Sequence, residues 1–149
     1  MVVREATTDD INGINELFYE LDTDAINMQP EHFKRGVRSF EYLSRLINDD
    51  KSAFLLAVIA GEIVGFSLIF EKQTPDITLL VPCKYAYIQD FVVKGSFRNK
   101  GIGTRLMDES KQWASKRDLD YLRLSVLPDN MDAQRFYKRH GLGEQMITM

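Results

Sequence analysis

The chain has 149 residues, 44% of them hydrophobic and 28% charged, with a net charge of −3 from 19 basic and 22 acidic side chains. That is the length of one domain, residues 1–149, with enough apolar material for a core, and the acidic balance excludes general affinity for nucleic acid or anionic membranes. A single cysteine, Cys83, excludes an intrachain disulfide, no apolar run reaches the length of a membrane span, and the scattered histidines form no recognised metal-binding spacing; a cytoplasmic protein without a metal is expected.

Met1–Ala6 reads as a first strand. Thr7 and Asp10 form a capping box, and Ile11, Ile14, Leu17, Phe18 and Leu21 follow at helical spacing. Asp22–Gln29 is polar and reads as irregular, ending at Pro30. A second helix covers Ser39–Ile47, with Phe40, Leu43, Leu46 and Ile47 on one side. Ala53–Ala60 is a near-continuous apolar run, a buried strand; Gly61-Glu62 turn the chain, and Ile63–Phe70 returns as its partner. Lys72–Pro82 is a loop, and Tyr85–Val93 a strand rich in aromatic and β-branched residues. A helix over Thr104–Lys116 carries Leu106, Met107, Trp113 and Ala114. Tyr121–Leu127 is a further strand, Asp132–His140 a short helix stopped by Gly141, and Leu142–Met149 a short final strand. Hairpins mixed with strand–helix–strand units imply an α/β fold: a mixed, mostly antiparallel sheet with helices on both faces.

The stretch Arg98-Asn99-Lys100-Gly101-Ile102-Gly103-Thr104 lies where strand gives way to helix. Two glycines one residue apart free the backbone there, so several amides can point into one concavity at the positive end of a helix dipole. That is a seat for a phosphate or pyrophosphate, with Arg98 and Lys100 adding charge. A Walker loop would need Gly-Lys-Ser/Thr, but Gly103 is followed by Thr104-Arg105. A dinucleotide fingerprint would need a third glycine where Leu106 stands. The acetyl-coenzyme A pattern, Arg/Gln-x-x-Gly-x-Gly/Ala, is met in full by Arg98, Gly101 and Gly103.

With these residues the chain resembles the GCN5-related N-acetyltransferase (GNAT) family over nearly its whole length. Arg4-Glu5-Ala6-Thr7, the hairpin Ala60–Gly65, Ile88–Val93, the glycine turn, Asn130, Ala133, Phe136-Tyr137 and Gly141-Leu142 occur in the family's order. The resemblance implies an acetyl-coenzyme A-dependent N-acetyltransferase. Its cofactor pyrophosphate would sit on the amides of Arg98–Thr104, and its pantetheine arm would run beside Phe91, Val92 and Val93 like an added strand. Asn130 would hold the cofactor through its amide; it is equally placed to cap the helix that follows.

Acyl transfer from a thioester needs a neutral amine, a polarised carbonyl, two reactants held together and a proton for the leaving thiolate. The resemblance places Tyr137 beside the cofactor sulfur as the proton donor, with Phe136 in the core. A backbone amide around Phe91–Val93 would polarise the carbonyl. Several relatives carry a glutamate as base where this chain has Gln89, which cannot accept a proton usefully. Asp90, read as facing the other side of the strand by period-two alternation, is one candidate base and equally a carboxylate held by backbone bonds. Tyr85, Tyr87 and an ordered water are the others, and Cys83 reads as a loop residue rather than a nucleophile.

The acceptor, a small-molecule amine or a peptide, is expected between Asp22–Arg38 and Lys72–Lys84. Ile88–Gly103 is similar to the polyamine acetyltransferases, with Gln89-Asp90 where those carry an acidic pair, which favours a polyamine-like amine. A sensor or structural module that binds acetyl-coenzyme A without transfer is the alternative from another class. A homodimer follows from family habit.

Overall fold

The computed structural model describes all residues, 1–149. Val2–Glu5 (β1), Ser52–Ile59 (β2), Glu62–Gln73 (β3), Lys84–Val93 (β4) and Leu122–Leu124 (β5) lie side by side in sequence order. The first three pairings are antiparallel; β4 and β5 run parallel. The helices are Ile11–Met28 (α1), Phe40–Asn48 (α2), Ile102–Lys116 (α3) and Met131–Arg139 (α4). Helices α1 and α2 cover one face through Ile14, Phe18 and Leu43 packed on Phe54, Phe66 and Leu68. Alternate residues of the same strands, among them Leu55, Ile69 and Ile88, meet Met107 and Ala114 of α3 on the other face. A buried pair, Ser110 Oγ donating to Ser67 Oγ at 2.9 Å, ties α3 to β3. No helix is long and apolar enough to cross a membrane.

The start of α1 is fixed locally. Arg4 donates to both Asp10 oxygens at 2.8 and 2.9 Å, and the Thr7 amide donates to Asp10 Oδ2 at 2.8 Å. The Arg4 hydrogen bonds hold the Asp10 carboxyl below its ordinary value of 3.8. Its contribution is therefore present above that value and is lost as pH falls through the lowered folded value. Asp10→Ala is expected to cost about 1–2 kcal/mol at neutral pH. Urea unfolding of both proteins should show that difference shrinking as the pH is taken below the ordinary carboxylate range.

Three elements differ from the sequence reading, the first being the strand expected over Tyr121–Leu127, which is only Leu122–Leu124. Asp22–Met28 continues α1, because Leu21 still packs on the core and the polar residues find partners on other segments: Asp22 with Arg38 and Asp24 with Arg98. The helix stops only at Gln29, before Pro30. Leu142–Met149 forms no strand. Leu142 packs against the α3-side core, but β5 is three residues long and offers little to pair with, and Met146 and Ile147 stay exposed.

A bulge in β4 decides what the site sees. Leu68 opposes Asp90 while Ile69 opposes Ile88, so Gln89 is an extra residue with no partner on β3. Before the bulge Tyr85 and Tyr87 face the α1–α2 side; after it Asp90 and Val92 do. Simple alternation along β4, which would set Asp90 on the face of Ala86 and Ile88, fails here.

Candidate active site

The pairing of β4 with β5 stops at Ile88–Leu124. Beyond it, Gln89–Val93 has β3 on one side and an open edge on the other. Because β5 ends at Leu124, the edge of β4 beyond it opens on a cleft, with unpaired backbone groups along one wall.

The glycine turn closes the end of that wall. Asn99 and Gly101 take left-handed conformations, φ 61° and 82°, which Asn and Gly adopt most readily. The first bond of α3 is Arg105 N to Gly101 O at 3.1 Å. The amides of Ile102, Gly103 and Thr104 therefore point outward from the helix N-terminus, as an anion seat requires. Gly103 also has a packing reason: a Cβ there would lie 3.1 Å from the Phe136 ring. Ile102 is buried and anchors the helix below the seat. Thr104 Oγ1 lies 3.3 Å from His140 Nε2, linking the seat to the end of α4.

Arg98 does not add free charge to the seat. Its Nε donates to Val93 O at 3.1 Å, and Nη2 lies 3.3 Å from Asp24 and 3.7 Å from Glu20. It buttresses the turn against α1 and occupies one carbonyl of the β4 wall. Lys100, with Nζ 5.2 Å from the Phe97 ring centroid, is in no ion pair and remains the local cation. Asn130 caps α4, its Oδ1 accepting from Ala133 N at 3.2 Å, which leaves its Nδ2 to donate elsewhere.

Tyr137 and Asp90 approach the open edge from opposite faces of the sheet. Tyr137 stands on α4 against Phe91 and Phe136, with ring centroids 6.2 and 5.5 Å away. Burial pushes its phenol up to about 12, and no hydrogen bond offsets that. It is therefore protonated at neutral pH, a donor and not a base. Across the strand, burial raises the Asp90 carboxyl above the ordinary carboxylate range, with Arg38 and Gln89 pulling it down and Asp22 pushing it up. A carboxylate with a raised proton affinity is a better base.

Sequence reasoning missed Arg38 as a neighbour of Asp90. Its guanidinium donates to Asp22 Oδ1 at 3.0 Å and lies 4.1 Å from the Phe18 ring centroid. No short motif marks such a contact, because it joins the loop before α2 to a bulged strand. Cys83 lies away from the cleft, in loose contact with Tyr121 at 3.5 Å.

Comparison with known proteins agrees with this geometry. The model of the acetyltransferase (GNAT) family matches residues 15–142. An uncharacterised N-acetyltransferase of Methanocaldococcus jannaschii is 27% identical over 146 residues, 98% of this chain and 62% of that protein, so the chain spans less than two thirds of it. An uncharacterised N-acetyltransferase of Archaeoglobus fulgidus is 29% identical over 149 residues, covering 95% of this chain and 92% of that one. Among solved structures, a tetramutant of the BH1408 protein of Bacillus halodurans superposes with a TM-score of 0.94 at 26% identity, over 100% of this chain and 97% of that one. An aminoglycoside N-acetyltransferase in complex with CoA shares the fold, with a TM-score of 0.77 at 16% identity over 99% and 96% of the two chains. With the family match running from α1 past the end of α4, the chain belongs to the acetyltransferase (GNAT) family.

Proposed function

We propose that the chain transfers an acetyl group from acetyl-coenzyme A directly to a primary amine of a small molecule or peptide. The observation that carries this is the placement of a protonated phenol and a proton-seeking carboxylate on opposite faces of one open strand edge, beside an anion seat. Acetyl-coenzyme A supplies the activated acyl group and the leaving thiol. The amides of Ile102–Thr104 hold its pyrophosphate, with Lys100 and Asn130 close by. The edge of Phe91–Val93 orients the pantetheine arm and polarises the thioester carbonyl through a backbone amide.

Asp90 takes the proton of the attacking amine as the C–N bond forms. Tyr137 gives its hydroxyl proton to the sulfur as the C–S bond breaks. The amine enters on the Asp90 side, between α1, the Arg38 loop and the Tyr85–Tyr87 part of β4. Asp22 and Asp24, in the segment expected to border the acceptor, are each already paired with an arginine. The cleft thus offers a polycation few free carboxylates, and the amine class stays broader than polyamines.

Thiol release from acetyl-coenzyme A, measured against polyamines, amino acids, aminoglycosides and short peptides, tests the proposal. Amine-dependent release above the hydrolytic background supports it. Tight cofactor binding with no amine-dependent release supports the binding-module alternative instead.

A further inference from the structure

The α1–α2 face of β4 continues beyond the bulge into a surface that proton transfer does not use. Cross-strand register sets Lys72 beside Tyr85 and Arg123 beside Tyr87. Lys72 Nζ lies 4.6 Å from the Tyr87 ring centroid. The Arg123 guanidinium lies 4.8 and 5.2 Å from the centroids of Tyr85 and Tyr121, which stack on each other at 5.1 Å. Tyr87 Oη donates to Ser125 Oγ at 3.3 Å. Stacking fixes both cations on rings without neutralising them.

Neither Lys72 nor Arg123 takes part in an ion pair, although most arginines of the chain do. Arg123 makes one hydrogen bond, from Nη2 to Tyr121 Oη at 3.2 Å, and its Nε is buried without an acceptor in the protein. A buried, unpaired donor on a guanidinium is costly and needs a reason. Arg123 and Tyr121 also line a cavity of about 480 Å³ with Val81, Cys83 and Gln145. Asp120, the one acid on that cavity, spends Oδ2 on the Lys84 amide at 3.1 Å. The guanidinium is thus held against two rings, takes part in no ion pair and lines that cavity, which suits a carboxylate or phosphate reaching its remaining donors.

We infer that Arg123, supported by Lys72, is an anion-binding specificity site for the acceptor, and that the acceptor carries a carboxylate or phosphate at some distance from its amine. This rests on the transfer reading above, which puts the amine at Asp90. Arg123 opposes Tyr87, three residues before Asp90, so amine and anion are separated by roughly 10 Å. An α-amino acid is too short. A tripeptide with a free carboxyl group spans the gap at roughly 3.3–3.6 Å per residue. Such an acceptor is chemically distinct from a polyamine, which would place a second cation against Arg123.

The test reads binding separately from turnover. Triglycine, its C-terminal amide and spermidine are titrated calorimetrically into the coenzyme A-loaded protein, for wild type, Arg123→Gln and Arg123→Lys. The expected result is a Kd for the free acid at least tenfold below that of the amide or spermidine in wild type. Arg123→Gln should erase that preference and Arg123→Lys restore part of it. Equal binding of acid and amide, tighter spermidine, no binding of any probe, or a preference untouched by Arg123→Gln overturns the inference. Thiol release in the same samples judges the transfer reading independently: selective acid binding without acetyl transfer retains the anion site and rejects the transfer.

Discussion

Tyr137→Phe is expected to lower kcat by about 10- to 1000-fold with the KM for the amine nearly unchanged, because it removes the proposed proton donor, used only as the thiolate departs. The substitution keeps the ring against Phe91 and Phe136. It deletes a hydroxyl whose only resolved influence is burial, so stability should move by no more than about 0.5 kcal/mol. Activity and stability therefore separate, and thermal unfolding beside steady-state kinetics distinguishes a lost donor from a damaged fold. The defect should also depend on the leaving group. An acetyl thioester of a more acidic thiol needs less proton donation, so its rate should fall less in the variant. Because the phenol sits at about 12, Tyr137 should produce no basic limb in the pH–rate profile near neutrality. An equal loss with both thioesters contradicts the donor role.

Asp90→Asn should lower kcat by about 100-fold or more while making the protein no less stable at neutral pH. The carboxyl is raised chiefly by burial, so its ionised form is disfavoured in the folded state. The folded protein then holds a proton that the unfolded chain has released. The stability due to this proton is full below the ordinary value of 3.8 and is lost as pH rises through the raised folded value. Asparagine has nothing to lose over that window. The variant should gain in Tm relative to wild type as pH is raised from acid to neutral, and the acidic limb of the pH–rate profile should vanish. A variant that is both active and destabilised would make Asp90 a structural carboxylate, the alternative that its sequence leaves open.

The glycine turn was readable because its cause is local. Left-handed φ values at Asn99 and Gly101 and the free amides at the start of α3 belong to neighbouring residues, so their types report the conformation directly. The hairpin at Gly61 and the capping box at Thr7–Asp10 were readable for the same reason. Arg98 was not, because its direction is set by Glu20 and Asp24 on α1, far away in the chain. The bulge at Gln89 has no residue signature: period-two reading fails there because an extra residue on one strand shows only when its partner strand is known. That one residue brings Tyr85, Tyr87 and Asp90 onto the same face. The extension of α1 through Asp22 and Asp24 was hidden because polar residues that find distant arginines look, in sequence, like a solvated loop.

Transfer at the open edge of β4 is proposed to be direct, with no acyl group carried by the protein. Rapid quenching of a single turnover with isotopically labelled acetyl-coenzyme A, followed by mass spectrometry of both amine and protein, tests it most directly. Direct transfer puts label on the amine at the rate of thiol release and none on the protein at any time. Label on the protein before the amine, at Cys83 or elsewhere, would contradict it, as would bound acetyl-coenzyme A that yields its acetyl group to no amine.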